Sequence, residues 1–315
     1  MAASLVIGGN GFLGSHVVDA LAAAGDTVTV FDRFSSRPMY TAPDVRSVVG
    51  DFESHADLRV ALEGQQKLFH FLSTTTPVTA ENDPSMDVRT NLSASVELFE
   101  LAVQAGVQRV FFASTGGAIY GDQAGHLINE MVVPQPVSPY AIGKLAIEGY
   151  LRYFRRKHGL QSVSFRISNP YGPRQHPQKR QGVIPIFLQR IAEGQPVIVF
   201  GDGSMVRDYL YVKDAARMVA LAAAGDPQHD VYNIGSGTGV SVNELIAVAR
   251  EVTGRSVRVQ QVEQPVTFVN RSVLDASRFT REFDLAASVS LREGMERTWQ
   301  ATVGNLTAGG QGATA

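Results

Sequence analysis

The N-terminal stretch through Asp32 constrains this chain more than any other. Ser4-Leu5-Val6-Ile7 reads as a buried strand and runs straight into Gly8-Gly9-Asn10-Gly11-Phe12-Leu13-Gly14. An apolar pattern at Val17, Val18 and Leu21 then continues to Gly25, a helix stop. A strand, a glycine turn and a helix in that order make the opening of a dinucleotide-binding unit. Glycines at 8, 11 and 14 permit a tight turn and close backbone approach, and the helix start at Phe12 and Leu13 receives a pyrophosphate. The next strand, residues 27–31, ends at Asp32, 18 residues after Gly14. A carboxylate there accepts from a ribose 2′-hydroxyl and repels a 2′-phosphate, which favours NAD over NADP. Arg33 and Arg37 stand close enough to oppose that preference.

The alternation continues. A third strand over 45–49 ends at Gly50-Asp51, where Asp51 and Phe52 are either adenine contacts or a loop carboxylate and a core aromatic. A fourth, over 67–72, runs into Ser73-Thr74-Thr75-Thr76-Pro77. Strand ends at this edge of a doubly wound sheet face the ligand crevice, so Leu72, Ser73, Thr74 and Thr76 are candidate contacts. The spacing predicts one long helix over 85–105, with Asn91 inside it near the core. A fifth strand over 109–113 leads into Ser114-Thr115-Gly116, and a sixth over 163–167 leads into Asn169. Alternating strands and helices predict an α/β fold, a Rossmann-type doubly wound parallel sheet. A change to loops rich in Pro, Gln and Arg places a domain boundary near 170. A smaller α/β domain over 171–306 takes the helix 213–224, the strand 231–235 and the helix 242–253, with some segments packing back on the first domain. The Gly/Ala-rich tail 307–315 reads as disordered.

A hydrophobic share of 44% and a charged share of 18% describe a soluble globular chain with a sizeable core. The net charge of -2 provides no field that would draw nucleic acid or a membrane surface. Without cysteine there is no disulfide, thiolate metal site or cysteine nucleophile, which suits a cytoplasm. The start shows no basic region followed by a cleavable apolar one, and no run of about 18 apolar residues is present. The expectation is a cytoplasmic protein with no metal, nucleic-acid or membrane partner.

Chemistry enters at Tyr140 and Lys144. Four residues apart on a helix, they lie on one face. A tyrosine of pKa about 10 is a poor base at neutral pH, and a cation beside it favours the phenolate. Ser114 and Thr115, at a strand's carboxyl end 26 and 25 residues earlier, are placed to share a substrate oxygen with Tyr140. Gly201-Asp202-Gly203 introduces Arg207, whose planar fork of donors suits a phosphate.

These pieces in this order resemble the extended short-chain dehydrogenase/reductases, and within them the UDP-galactose 4-epimerase-like enzymes. The resemblance spans Leu5 to about Trp299. It implies NAD as cofactor and a nucleotide-diphosphate sugar, a UDP-sugar foremost, as substrate. It makes Tyr140 the base, with Lys144 on the nicotinamide ribose and lowering the tyrosine's pKa. Ser114 or Thr115 would hold the sugar's 4-hydroxyl. Asn169 would contact the diphosphate, Arg207 would grip a phosphate, and the segment from Val183 and Ile184 to 188 would lie against the base. It further implies a homodimer built from the helices over 85–105 and 141–157, the latter offering Leu145, Leu151 and Phe154.

Two departures stand out. The family's hydroxyl position falls on Gly116 when counted from Tyr120 and on Thr115 when counted from Tyr140. Pro265 stands where the family often has a phosphate-binding arginine, so that contact is either lost or moved to Arg271. A small Ser272 leaves room for a 2-acetamido group. Sister dehydratases carry Asp-Glu where this chain has Gly116 and Gly117, and sister decarboxylases carry a glutamate where it has Ala118. Simple 4-epimerisation is therefore expected. The alternatives are a dehydratase or reductase of the same family and a non-catalytic dinucleotide-binding regulator.

Overall fold

The computed structural model describes residues 2–123, 127–176, 182–263, 269–285 and 288–311. The chain begins β1 (Ala3–Ile7), α1 (Phe12–Ala23), β2 (Thr27–Asp32), β3 (Arg46–Val49), α2 (His55–Leu62) and β4 (Lys67–His70). It continues α3 (Pro77–Asn82), α4 (Pro84–Asp87), a π-helical segment (Val88–Ser93), α5 (Ala94–Gln104), β5 (Arg109–Thr115), α6 (Pro139–His158), β6 (Gln161–Ile167) and β7 (Asn169–Tyr171). The remainder is α7 (Val183–Ala192), β8 (Val197–Phe200), β9 (Val206–Tyr211), α8 (Val212–Ala224), β10 (Val231–Ile234), β11 (Gly239–Ser241), α9 (Val242–Thr253), β12 (Val259–Val262), β13 (Arg271–Ser272), α10 (Ser277–Glu282) and α11 (Leu291–Gln311).

Seven parallel strands form the main sheet in the order β10-β6-β5-β4-β1-β2-β3. This is the Rossmann-type doubly wound α/β architecture, and the strand order reverses at β1 and β4, where such sheets bind ligands. Helices cover both faces, so the central strands are apolar throughout: Leu5, Val6 and Ile7 are wholly buried. Phe69, Phe111 and Phe165 stack across β4, β5 and β6, with ring centroids 4.8 and 6.1 Å apart. α6 is held at both ends: the Ser138 side chain accepts from Ala141 N, Pro139 opens the first turn, and Gly159 closes the helix at φ 73°. Arg155, Arg156, Lys157 and His158 in its last turn complement the helix dipole.

The second lobe centres on β9, flanked by β11, β13 and β7, with α7, α9 and α11 packed around Leu188, Leu245 and Met295. Two elements of the stretch 171–306 pack on the first lobe. β10 pairs with β6 as the edge of the main sheet, and α8 packs on α1. The apolar faces Ala215, Met218 and Val219 of α8 and Val17, Val18 and Leu21 of α1 share one core.

Three further expectations change. The helix predicted over 85–105 is three segments, because the chain widens into a π turn at Val88. α11 runs to Gln311, so residues 307–311 continue a helix rather than a disordered tail, and 312–315 lie outside the described residues. Leu151 and Phe154 are 1% and 2% exposed and belong to the internal core; the outward face of α6 presents Ile142, Tyr150 and Tyr153 instead. Among the described residues no helix is long and apolar enough to cross a membrane.

Candidate active site

The carboxyl ends of β1, β4, β5 and β6 bring the predicted residues to one edge of the sheet. Gly8 takes φ +78°, and a Cβ on it would stand 2.8 Å from Leu72 Cα and N, so the turns after β1 and β4 touch only because residue 8 is glycine. At Gly14 a Cβ would overlap Gly8 O. α1 starts from Gly11 with no side-chain cap, which leaves the N–H groups around Phe12 and Leu13 facing outward. A close-packed glycine turn and an uncapped helix N-terminus fit a dinucleotide pyrophosphate. Asp32 closes the turn: Oδ2 accepts from Asn10 N at 3.1 Å and Oδ1 from Phe34 N at 3.4 Å.

Arg33 lies beside this position and is taken up by Asp51, at 3.1 Å. The N–H of Glu53 and the Arg33 guanidinium hold the Asp51 carboxyl below its usual range. The Phe52 side chain is 3% exposed and packs on His70 in the core. Ser73 Oγ donates to Thr75 O, and Thr74 N donates to Asn91 Oδ1 at 2.9 Å. Thr76 is engaged as the N-cap of α3.

Tyr140 and Lys144 lie in the first turns of α6, at the mouth of β5. Lys144 is buried, donates from Nζ to Ala113 O at 2.9 Å, and sits 4.8 Å from the Phe112 ring centroid and 5.7 Å from that of Tyr140. The expected lowering of the tyrosine's pKa is absent. Burial, with Asp87 adding, raises Tyr140 to about 12. Burial lowers Lys144 to about 8, against the pull of Asp87. A phenol this weakly acidic is protonated at neutral pH and deprotonates only when more positive charge is brought beside it.

Successive strand residues face opposite ways, and this separates the two hydroxyls. Ser114 Oγ donates to Glu148 Oε1 at 2.6 Å in the interior. Glu148 is paired with Arg166, which also donates to Tyr120 Oη; that hydroxyl donates in turn to Asn233 Oδ1 at 2.7 Å. Ser114 is thus part of a buried clamp between α6, β5, β6 and β10, and Thr115 is the hydroxyl turned the other way. Sequence reasoning missed this clamp, although Glu148 repeats the four-residue step from Lys144. Gly116 is hemmed in, since a Cβ there would overlap Leu274 Cδ1 and stand 2.7 Å from Arg166 O. Ser272 lies behind it, its hydroxyl 3.5 Å from Gly116 O.

The second lobe contributes the far wall. Asn169 Nδ2 donates to Asp208 O at 3.0 Å and lies beside Gly117. Among the described residues the Arg207 guanidinium bonds the carbonyls of Val206 and Val269. Arg271 is not brought alongside it: the register pairs Arg271 with Val206, so the two arginines leave the sheet on opposite faces. Arg271 Nε is a buried donor without a partner. Ile184 is in the lobe's core, leaving Val183 as the partly exposed residue of that pair. Pro265 lies outside the described residues.

Residues 4–235 match the model of the NAD dependent epimerase/dehydratase family. A UDP-glucose 4-epimerase of Mycolicibacterium smegmatis is 32% identical over 308 residues, 94% of this chain and 96% of its own length. The crystal structure of the Thermotoga maritima UDP-glucose 4-epimerase with UDP-glucose superposes with a TM-score of 0.90 at 35% identity, covering 96% of this chain and 99% of that one. That of the Thermus thermophilus UDP-glucose 4-epimerase with NAD gives 0.89 at 34%, with the same coverage. Fold, glycine turn, Tyr140–Lys144 pair and sequence agree: the chain is a member of the NAD dependent epimerase/dehydratase family, within the extended short-chain dehydrogenase/reductases.

Proposed function

We propose that this protein inverts carbon 4 of a nucleotide-diphosphate hexose, UDP-glucose and UDP-galactose or their N-acetyl forms, by way of a 4-keto sugar. The observation that carries this reading is the set of groups at the mouth of β5: the Tyr140–Lys144 pair, with Lys144 bonded to Ala113 O, and Thr115 two residues further on, followed by two glycines. No side chain can enter at Gly116 without displacing Leu274, so this position holds no acid with which to expel a 6-hydroxyl. Simple epimerisation requires none.

The residues divide the work. The glycine turn and α1 N-terminus hold the pyrophosphate of NAD, Asp32 the adenosine ribose, and Lys144 the nicotinamide ribose. When bound, NAD supplies a hydride acceptor at carbon 4 and returns the hydride, so no external oxidant is consumed. Tyr140 Oη, as the phenolate, takes the proton of the 4-hydroxyl and returns it to the same oxygen once carbon 4 has been reduced from its other face. Thr115 Oγ1 fixes that oxygen; Ser114, committed to Glu148, orients the helix instead. Asn169 and Arg207 hold the diphosphate, with Val183 against the base. The test is direct: purified protein is incubated with UDP-glucose, UDP-galactose and their N-acetyl forms, and the products are separated. Interconversion at carbon 4 without added oxidant is expected. A 4-keto-6-deoxy product would establish a dehydratase, and no product with any sugar would establish a regulator.

The same reading includes a homodimer. Met86 and Val88, 37% and 54% exposed, and Ile142, Tyr150 and Tyr153, 53%, 42% and 48% exposed, cover the adjoining outer faces of α4, the π turn and α6. A second copy presenting the same apolar face would cover them. Light scattering should give twice the 33.9 kDa chain mass, and Ile142→Asp with Tyr153→Asp should give the monomer. A wild-type monomer at micromolar concentration would remove the dimer.

A further inference from the structure

Asp87 is a buried carboxylate that the reading above leaves without a task. It ends α4, just before the π turn, and is 3% exposed. Its Oδ1 accepts from the Thr75 hydroxyl and from Asn91 Nδ2, the latter at 2.8 Å. Its Oδ2 faces α6, where a Cβ on Gly143 would overlap it. Glycine at 143, between Tyr140 and Lys144, is what admits a carboxylate this close to the helix. A single widened turn of this kind often marks a functional site, and here it carries Asn91 back onto Asp87.

We propose that Asp87 is a positioning residue whose negative charge keeps Lys144 protonated inside the protein and holds Tyr140 as a phenol until substrate and cofactor are in place. This rests on the reading of Tyr140 and Lys144 as base and cation. Lys144 Nζ donates one hydrogen bond to Ala113 O, and the carboxylate stands beyond the 4.0 Å of a direct ion pair. In a compartment closed to water, charges act over longer distances than at a surface. The remaining titratable groups around the pair are otherwise occupied. His70 on β4 is pushed down to about 3 by burial, with Lys144 adding, and is neutral. Glu148 on α6 and Arg166 on β6 neutralise each other at 2.8 Å. Among the described residues, Asp87 is the carboxylate set against α6 at Gly143, between Tyr140 and Lys144.

The test titrates Lys144 by NMR in protein labelled at lysine, of which the chain has five. The wild-type midpoint is expected at about 8. Asp87→Asn retains an oxygen for Thr75 and Asn91 but removes the charge, and should lower the midpoint by about one unit or more. With UDP-glucose, both limbs of the kcat–pH profile should move to lower pH, and Asp87→Glu should restore them. If Asp87→Asn does not fold, Asp87→Ser, smaller and still an acceptor, makes the same comparison. A Lys144 midpoint unmoved by loss of the charge overturns the proposal, since a merely structural aspartate would change melting and leave the titration alone. The titration needs no substrate, so a wild-type protein inactive on every sugar nucleotide would overturn the proposed reaction and not this inference.

Discussion

Tyr140→Phe is expected to lower UDP-sugar turnover by about 10²–10⁴-fold, the usual contribution of a positioned general base. The ring keeps its place over Lys144, and only the oxygen that exchanges a proton with the 4-hydroxyl is lost. Sugar-nucleotide affinity and bound NAD should therefore be unchanged, which places the loss in kcat rather than KM. Thr115→Ala should also reduce kcat. Ser114→Ala should act mainly on stability, because that hydroxyl is spent on Glu148. Turnover by Tyr140→Phe at the wild-type rate would refute the assignment of the base.

The largest stability effect is expected at Glu148. Its side chain is 1% exposed and Arg166 is 6% exposed, joined by two hydrogen bonds at 2.8 and 3.1 Å. Glu148→Ala leaves a guanidinium in the interior with no counter-charge, which costs about 3–5 kcal/mol. It also frees Ser114 and loosens the Arg166–Tyr120–Asn233 chain that ties α6 to β10. Glu148→Gln, which keeps an acceptor and the volume, should cost less. Urea unfolding of the three proteins decides the matter, and equal midpoints for wild type and Glu148→Ala would mean that the clamp carries no stability.

What was legible in the sequence was local. The turn after β1 needs glycine because backbone meets backbone there, and Asp32 ends the very next strand, so both are spelled by spacing alone. Tyr140 and Lys144 are one helical turn apart. The clamp is different: Glu148, Arg166, Tyr120 and Asn233 come from four separate elements, and nothing in the spacing of an arginine on a strand names its partner. Asp87 was hidden for the same reason, since only the fold sets it against Gly143. Apolar character alone does not tell the two faces of α6 apart: Leu151 and Phe154 turn inward, and the residues turned to solvent, Ile142, Tyr150 and Tyr153, are apolar or aromatic as well. The glycines near the C-terminus argue against a helix, yet α11 runs through Gln311.

The return of β10 to the main sheet bears on how such a protein can be cut and recombined. A chain ended near residue 170 would leave β6 as an open edge, its N–H and C=O groups bare and prone to pair with another chain. It would also strip α8 from α1, the helix that starts at the glycine turn. The main-sheet lobe is therefore assembled from two stretches of chain with part of the second lobe threaded between them. A chimera joined at residue 170 would inherit its main-sheet lobe from both parents.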